Sequence, residues 1–328
     1  MRAALALARR GLGRVWPNPA VGCVIVKDQQ VVGRGWTQQG GRPHAETEAI
    51  ARAGEATRGA TAYVTLEPCS HQGKTPPCAG ALIEAGVIRV VAAMTDPDPR
   101  VAGQGLNALR AAGIEVEVGV CEDEARALNR GYLKRLADGL PLVTLKTAIT
   151  TDGRIATQSG ESQWITGAES RAEAHRLRAD HDAIAVASAT ALADDPELTC
   201  RLPGMRDRSP VRVLLDAHLR VPTDTKLYAT AQDVPLWVFS AALSDDPKVL
   251  ERTKTGAEHF TVATDGSGHG VNLRQSFAQL AERGITRLLA EAGGMLASAL
   301  LRDGLVDDLV VFRAPKLLGG DGMAMTGP

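Results

Sequence analysis

Apolar positions along this chain follow two alternating periods. Short β-branched runs recur every second residue or as continuous apolar stretches, and between them lie segments whose apolar residues return every three to four positions. In the first 140 residues this predicts a helix over 2–10, strands over 21–27 and 31–36, and a helix over 44–53. It continues with a strand over 61–66, a helix over 77–86, a strand over 88–94, a helix over 103–112 and a strand over 114–119. Strands separated by helices of this length make a layered α/β sheet. "DGLPLVTLK" at 138–146 combines a turn-forming Asp-Gly, a proline and a new apolar run, so the expected domains are 1–141 and 142–328. The second half predicts strands at 142–148, 183–187, 211–216, 236–240, 286–291 and 309–313. Helices are expected near 168–179, 247–255, 272–283 and 294–301, with loops at 203–210 and 264–270 and no internal repeat.

Composition narrows the function. A chain of 328 residues exceeds one ordinary core, in keeping with two domains. Its formal charge of −1 offers no general electrostatic grip on nucleic acid, and 3% aromatic residues is thin for a surface that stacks successive bases. No apolar run approaches the length of a membrane span. "MRAALALARRGL" is basic and amphipathic but lacks the apolar core of a signal peptide, so it is read as a first helix. The cysteines Cys23, Cys69, Cys78, Cys121 and Cys200 are odd in number and unevenly placed, which suits reduced thiols in a cytoplasm. Cys23 and Cys121 sit in apolar strand-like surroundings and are expected to be small buried hydrophobes.

His44, Cys69 and Cys78 offer an imidazole and two thiolates, a set that favours zinc. Three protein ligands leave a fourth tetrahedral position open, as in catalytic rather than structural zinc sites. Glu46 follows His44 by two residues, and on a regular helix the pair would diverge; a helix opened by Pro43 relieves that objection. Glu46 is then expected to carry protons rather than bind metal. His-x-Glu followed by Pro-Cys-x-x-Cys is the signature of zinc nucleobase deaminases. Here, however, the second cysteine arrives only after "SHQGKTPP", and Cys78 begins a helix whose N–H groups are expected to favour its thiolate. The alternatives are a structural zinc or a pair of buried thiols.

"PNPAVGCVIV", "HAE", "GATAYVTLEPCSHQGKTPPCAGALIEAG" and "DPDPRVAGQG", followed by "SGESQWITG", "LADDPELTCR" and "EAGGMLASALL", together resemble the bifunctional deaminase-reductase family of riboflavin biosynthesis over essentially the whole chain. The resemblance implies a cytidine-deaminase-like α/β/α domain joined to a dihydrofolate-reductase-like α/β domain. The first would deaminate a phosphoribosylamino-diaminopyrimidinone, and the second would use NADPH to reduce its ribosyl group to ribityl. It also implies His44, Cys69 and Cys78 as zinc ligands and Glu46 as proton donor. Asn18, His71 and Lys74 would meet the deaminase substrate, although the latter two could equally belong to a solvated loop. In the second half it implies Lys146 and Asp194 at the reductase centre, either as proton-handling or as positioning residues. Ser162, Arg178, Leu198, Arg201 and Glu291 match substrate positions, with a surface ion pair the ordinary alternative for each arginine. Ala148, Trp164, Thr190, Asp194 and the run Gly293, Gly294, Met295, Leu296, Ala297, Ser298 and Ala299 match cofactor positions, with Trp164 also readable as plain core. "LLAEAGGMLASALL" independently reads as strand, glycine turn and helix, a cradle for a pyrophosphate, and it is not a G-x-G-x-x-G fingerprint.

Three departures stand out. Thr150 and Thr151 replace the family's usual Ser-Leu, which is expected to alter the cofactor edge slightly. Asp98 replaces the asparagine of "DPNP", so an added negative charge should weaken binding of an anionic substrate. The chain ends at "KLLGGDGMAMTGP", before the family's final strands, which would leave the reductase sheet incomplete. Rival readings are a deaminase of a base in tRNA or single-stranded DNA, a deaminase of another nucleobase with a non-catalytic second domain, and a zinc-stabilised scaffold. Against these, the expected partners are a small phosphorylated pyrimidine and a second copy of the chain, with neither nucleic acid nor membrane.

Overall fold

A computed structural model describes residues 1–70, 76–160 and 166–327. His71, Lys74, Ser162 and Trp164 lie outside the described residues. The chain divides into two compact units, Met1–Asp138 and Gly139–Pro328.

The first unit carries helix α1 (Arg2–Ala8), strands β1 (Gly22–Lys27) and β2 (Gln30–Trp36), helix α2 (Ala45–Ala53) and strand β3 (Thr61–Val64). Then come α3 (Cys78–Glu84), β4 (Arg89–Ala92), α4 (Gln104–Ala111), β5 (Glu115–Val118), α5 (Glu122–Leu128) and α6 (Arg130–Asp138). Its five strands run in the order β2-β1-β3-β4-β5, with the two pairs around β1 antiparallel and the rest parallel. The order follows from polarity: Cys23, Ile25, Ala62, Val64, Val90 and Ala92 are fully buried in the centre, whereas the "EVEV" of β5 is largely exposed at an edge. Helix α2 covers the sheet through Ala45 and Ala49, both 0% exposed, and this lays its first turn over the end of the sheet where the site forms. Leu82, Leu106 and Leu109 seal α3 and α4 onto the same core, each burial stabilising by about 1.5–3 kcal/mol.

The second unit has a seven-stranded sheet. Its strands are β6 (Leu142–Thr150), β8 (Ala183–Ala187), β9 (Val211–Leu215), β10 (Leu236–Ser240), β11 (Glu258–Thr261), β12 (Arg287–Glu291) and β13 (Asp308–Ala314), beside a small antiparallel pair of β7 (Arg154–Ala156) and β14 (Met323–Ala324). The order is β11-β10-β9-β8-β12-β6-β13, and every pair is parallel. Parallel strands need both faces covered, hence the continuous apolar runs and the helices between them: α7 (Ala168–Ala179), α8 (Ser188–Asp194), α9 (Lys226–Ala229), α10 (Pro247–Thr253), α11 (Leu273–Glu282) and α12 (Gly294–Arg302). Thr150 and Thr151 shape the turn after β6. Thr150 donates to the Asp152 carboxylate and accepts the Arg154 N–H, while Thr151 donates to the Ala314 carbonyl. Among the described residues no helix is long and apolar enough to cross a membrane.

Candidate active sites

In the first unit the His44 ring nitrogen and the Cys69 and Cys78 sulfurs lie within 4.8 Å of one another. His44 precedes α2 in an extended conformation (φ −73, ψ 161) and Glu46 falls in the first turn, so the two side chains are not bound to opposite helix faces. The His44 Nδ1 is 3.2 Å from Cys78 Sγ and 3.6 Å from Cys69 Sγ. A tetrahedron with metal distances of about 2.0–2.3 Å has edges of roughly 3.3–3.8 Å, so both nitrogen–sulfur separations are close to those of zinc ligands. Their chemistry agrees. A hydrogen bond from the Cys78 thiol, aided by His44, holds the Cys69 thiol far below its ordinary range, down to about 4, and so as a thiolate. The helix α3 N–H expected to favour Cys78 is given instead to Cys69: the Cys78 N–H donates to Cys69 Sγ at 3.3 Å, because Cys78 is the first helical residue and its amide points back along the chain.

These ligands stand in a cavity of about 290 Å³ whose lining includes Asn18, Glu46, Glu67, Asp96, Asp98, Arg100 and Tyr132. Glu46 is 3% exposed, and burial pushes its carboxyl up to about 7, with the Cys69 thiolate adding to the rise. Asn18 packs against Gly41 (φ 82), where a Cβ would lie 1.7 Å from Asn18 Nδ2. Glu67, two residues before Cys69, accepts N–H groups of Asp96, Gly103, Gly105 and Leu106. One buried carboxylate therefore ties the ligand segment to the start of α4 and to the loop before it. Burial raises Asp96 to about 6, and the Tyr132 hydroxyl donates to it at 3.3 Å.

In the second unit Lys146 on β6 pairs in register with Glu291 on β12. The Arg178 Nε and Nη2 donate to the two Glu291 oxygens at 2.7 and 2.9 Å, and its Nη1 donates to the Thr199 carbonyl. Burial works against the Glu291 carboxylate, yet Arg178, with Lys146 and His175 beyond it, holds it down at about 2. Leu198 takes a left-handed conformation (φ 56) and its side chain is in the core, at 2% exposure. Arg201 is exposed, 3.8 Å from Glu197. Thr190 and Asp194 lie on α8, and a Cβ on Gly293 would sit 3.5 Å from the Thr190 hydroxyl. Partial burial shifts the Asp194 carboxyl upward. Ala148 stands on β6 opposite Phe312. Helix α12 makes its first internal bond from the Ala297 N–H to Gly293, so the N–H groups of Gly294, Met295 and Leu296 precede the ladder. Such a turn suits an anionic group. Within the run, Met295 is exposed while Leu296 and Ala297 are buried; the Ser298 hydroxyl donates to the Gly294 and Gly327 carbonyls.

Fold and site together define a zinc-site deaminase unit followed by a reductase unit, and comparison with known proteins agrees. Residues 1–94 match the cytidine and deoxycytidylate deaminase zinc-binding region, and residues 141–328 match the RibD C-terminal domain. The riboflavin biosynthesis protein RibD of Escherichia coli is 47% identical over 332 residues, covering 98% of this chain and 88% of the relative. That of Aquifex aeolicus is 42% identical, covering 97% and 87%. The solved structure of Acinetobacter baumannii RibD superposes with a TM-score of 0.89 at 41% identity, covering 100% of this chain and 89% of that one. A Thermotoga maritima diaminohydroxyphosphoribosylaminopyrimidine deaminase/5-amino-6-(5-phosphoribosylamino)uracil reductase gives 0.87 at 36% identity, covering 99% and 88%. The chain belongs to the RibD family, the bifunctional deaminase-reductases of riboflavin biosynthesis. It pairs a cytidine-deaminase-like domain with a dihydrofolate-reductase-like one.

Proposed function

We propose that the first unit hydrolytically deaminates 2,5-diamino-6-(5-phosphoribosylamino)pyrimidin-4(3H)-one and that the second reduces the ribosyl side chain of the product to ribityl with NADPH. The observation that carries this reading is the buried Glu46 beside the convergent His44, Cys69 and Cys78 in one cavity. Those three residues would hold zinc, whose Lewis acidity makes water acidic near neutral pH. Glu46 takes a proton on its carboxylate, delivers it to the pyrimidine ring, and serves the departing ammonia in the same way. Asn18, which lines the same cavity, orients the pyrimidine edge. His71 and Lys74 are proposed as further substrate contacts.

In the second unit Arg178, Glu291 and Lys146 form one fixed charge cluster, and they are proposed to grip and orient the substrate together with Ser162, Leu198 and Arg201. Lys146 and Asp194 are the candidates for supplying the proton that accompanies hydride delivery to the sugar. The α12 turn, Thr190, Ala148 and Trp164 would cradle the dinucleotide, whose nicotinamide supplies the hydride. We assign residues 1–141 to the deaminase and 142–328 to the reductase. We also place the protein in the cytoplasm, in line with its free thiols, and expect a homo-oligomer.

The test supplies the zinc-loaded protein with the diaminopyrimidinone. Ammonia release without nicotinamide, followed by NADPH oxidation once the cofactor is added, is the expected result. Absence of ammonia would contradict the deaminase assignment, and ammonia without NADPH oxidation would contradict the reductase assignment.

A further inference from the structure

The cavity of the first unit is acidic. Glu46, Glu67, Asp96 and Asp98 all line it, and a substrate bearing a phosphate has to enter against them. Asp98 should make matters worse, yet its charge is already spoken for. Its side chain is 5% exposed, and it receives the Arg100 Nε at 2.9 and 3.1 Å, Arg100 Nη2 at 2.5 Å and the Arg100 backbone N–H at 2.9 Å. The Arg100 side chain, by contrast, is 74% exposed.

We propose that Arg100, pinned in place by Asp98, is the residue through which the deaminase cavity recognises the phosphate of its substrate. The proposal rests on the reading above, that the substrate is a phosphoribosylamino pyrimidine. Such a molecule must put its exocyclic amine beside Glu46, in the buried end of the cavity, and its phosphate therefore lies toward the open end. Arg100 lines the same cavity, and its side chain is the solvent-exposed member of the pair, which suits that end.

The geometry also prepares it. The Asp98 N–H donates to Asp96, the Val101 and Ala102 N–H groups close onto the Asp98 carbonyl, and Glu67 anchors the far side of the same loop. Much of the rotamer freedom an arginine loses on binding is thus lost beforehand. The planar guanidinium uses one edge on Asp98 and keeps its Nη1 and outer Nη2 N–H groups for a bidentate contact with phosphate oxygens. Arg42 and Arg135 line the cavity as well but are engaged in other contacts. Asp98 therefore acts as an orienting counter-ion, and the pair Asp98–Arg100 presents cationic donors rather than a bare negative charge.

The experiment compares deamination of the phosphorylated substrate and of its dephosphorylated analogue by wild type, Arg100→Ala and Arg100→Lys. Loss of a charged bidentate contact should raise KM for the phosphorylated substrate about 10- to 100-fold in Arg100→Ala. It should leave kcat, and KM for the dephosphorylated analogue, nearly unchanged, with Arg100→Lys in between. Equal rises for both substrates, or no rise for either, would overturn the proposal. Should wild type deaminate neither compound, the functional reading fails instead. Calorimetric titration with ribose 5-phosphate then decides the proposal separately: weaker binding in Arg100→Ala than in wild type upholds it, and identical heats refute it.

Discussion

Glu46 and Glu291 are both buried carboxylates, and their surroundings drive them in opposite directions. Burial beside a thiolate lifts Glu46 to about 7, where it can take and return a proton; Arg178 overcomes burial and keeps Glu291 ionised as a fixed anion, near 2. Glu46→Gln should therefore lower ammonia release by roughly 10²–10⁴-fold while leaving zinc content and reduction of supplied deaminated substrate intact. Loss of both activities with an unchanged fold would refute the division of labour. His181 offers a pH test in the second unit. Its Nδ1 donates to the Leu177 carbonyl and its Nε2 faces the Thr144 hydroxyl at 2.9 Å, and burial, with Arg287 nearby, depresses its pKa from 6.5 to about 4. The unfolded chain binds a proton below about pH 6.5 that the folded chain refuses, so stability falls as pH drops from 6.5 toward 4 and levels off below. The contribution is on the order of 3 kcal/mol. Urea titrations across this window should show a smaller pH slope in His181→Gln than in wild type, and equal slopes would show that His181 does not titrate as described.

Among the elements, long periodic segments were legible and short polar ones were not. Strands at 183–187 and 236–240 and the helix at 168–179 have the expected bounds, because parallel strands buried on both faces and a twelve-residue helix leave a continuous pattern. Helix α8 and strand β11 escape the pattern: one is seven residues long, and the other, "EHFT", is an edge strand with a single buried side chain. Helices α5 and α6 leave no clear apolar pattern, since charged residues make up about half of each. The site divides likewise. His44, Glu46, Cys69 and Cys78 announce themselves by spacing, whereas Glu67, the loop carrying Asp96 and Arg100, and Tyr132 come from separate parts of the chain and meet only through topology. The link between α4 and the ligand segment is one such meeting. A Cβ on Gly105 would lie 1.9 Å from the Pro68 carbonyl, beside Cys69. Gly105→Ala must force them apart, so it should cost about 1–3 kcal/mol of stability and depress deamination more than reduction. Thermal unfolding and both assays check this, and an unperturbed variant would show that the contact does not position the ligand.

The whole molecule joins two sheets of different construction, one mixed and partly antiparallel, the other parallel throughout, each with its own core and its own cluster of functional groups. Nothing in the second unit's cluster of Lys146, Arg178 and Glu291 calls for a metal, while the first unit's thiolate and imidazole do. The measurement that tests this account most directly is metal removal and restoration on the intact chain. Chelation should abolish ammonia release from the diaminopyrimidinone, zinc should restore it, and NADPH oxidation with the deaminated substrate should continue throughout. Ammonia release that survives complete removal of zinc, or NADPH oxidation that disappears with it while the fold persists, would contradict the account.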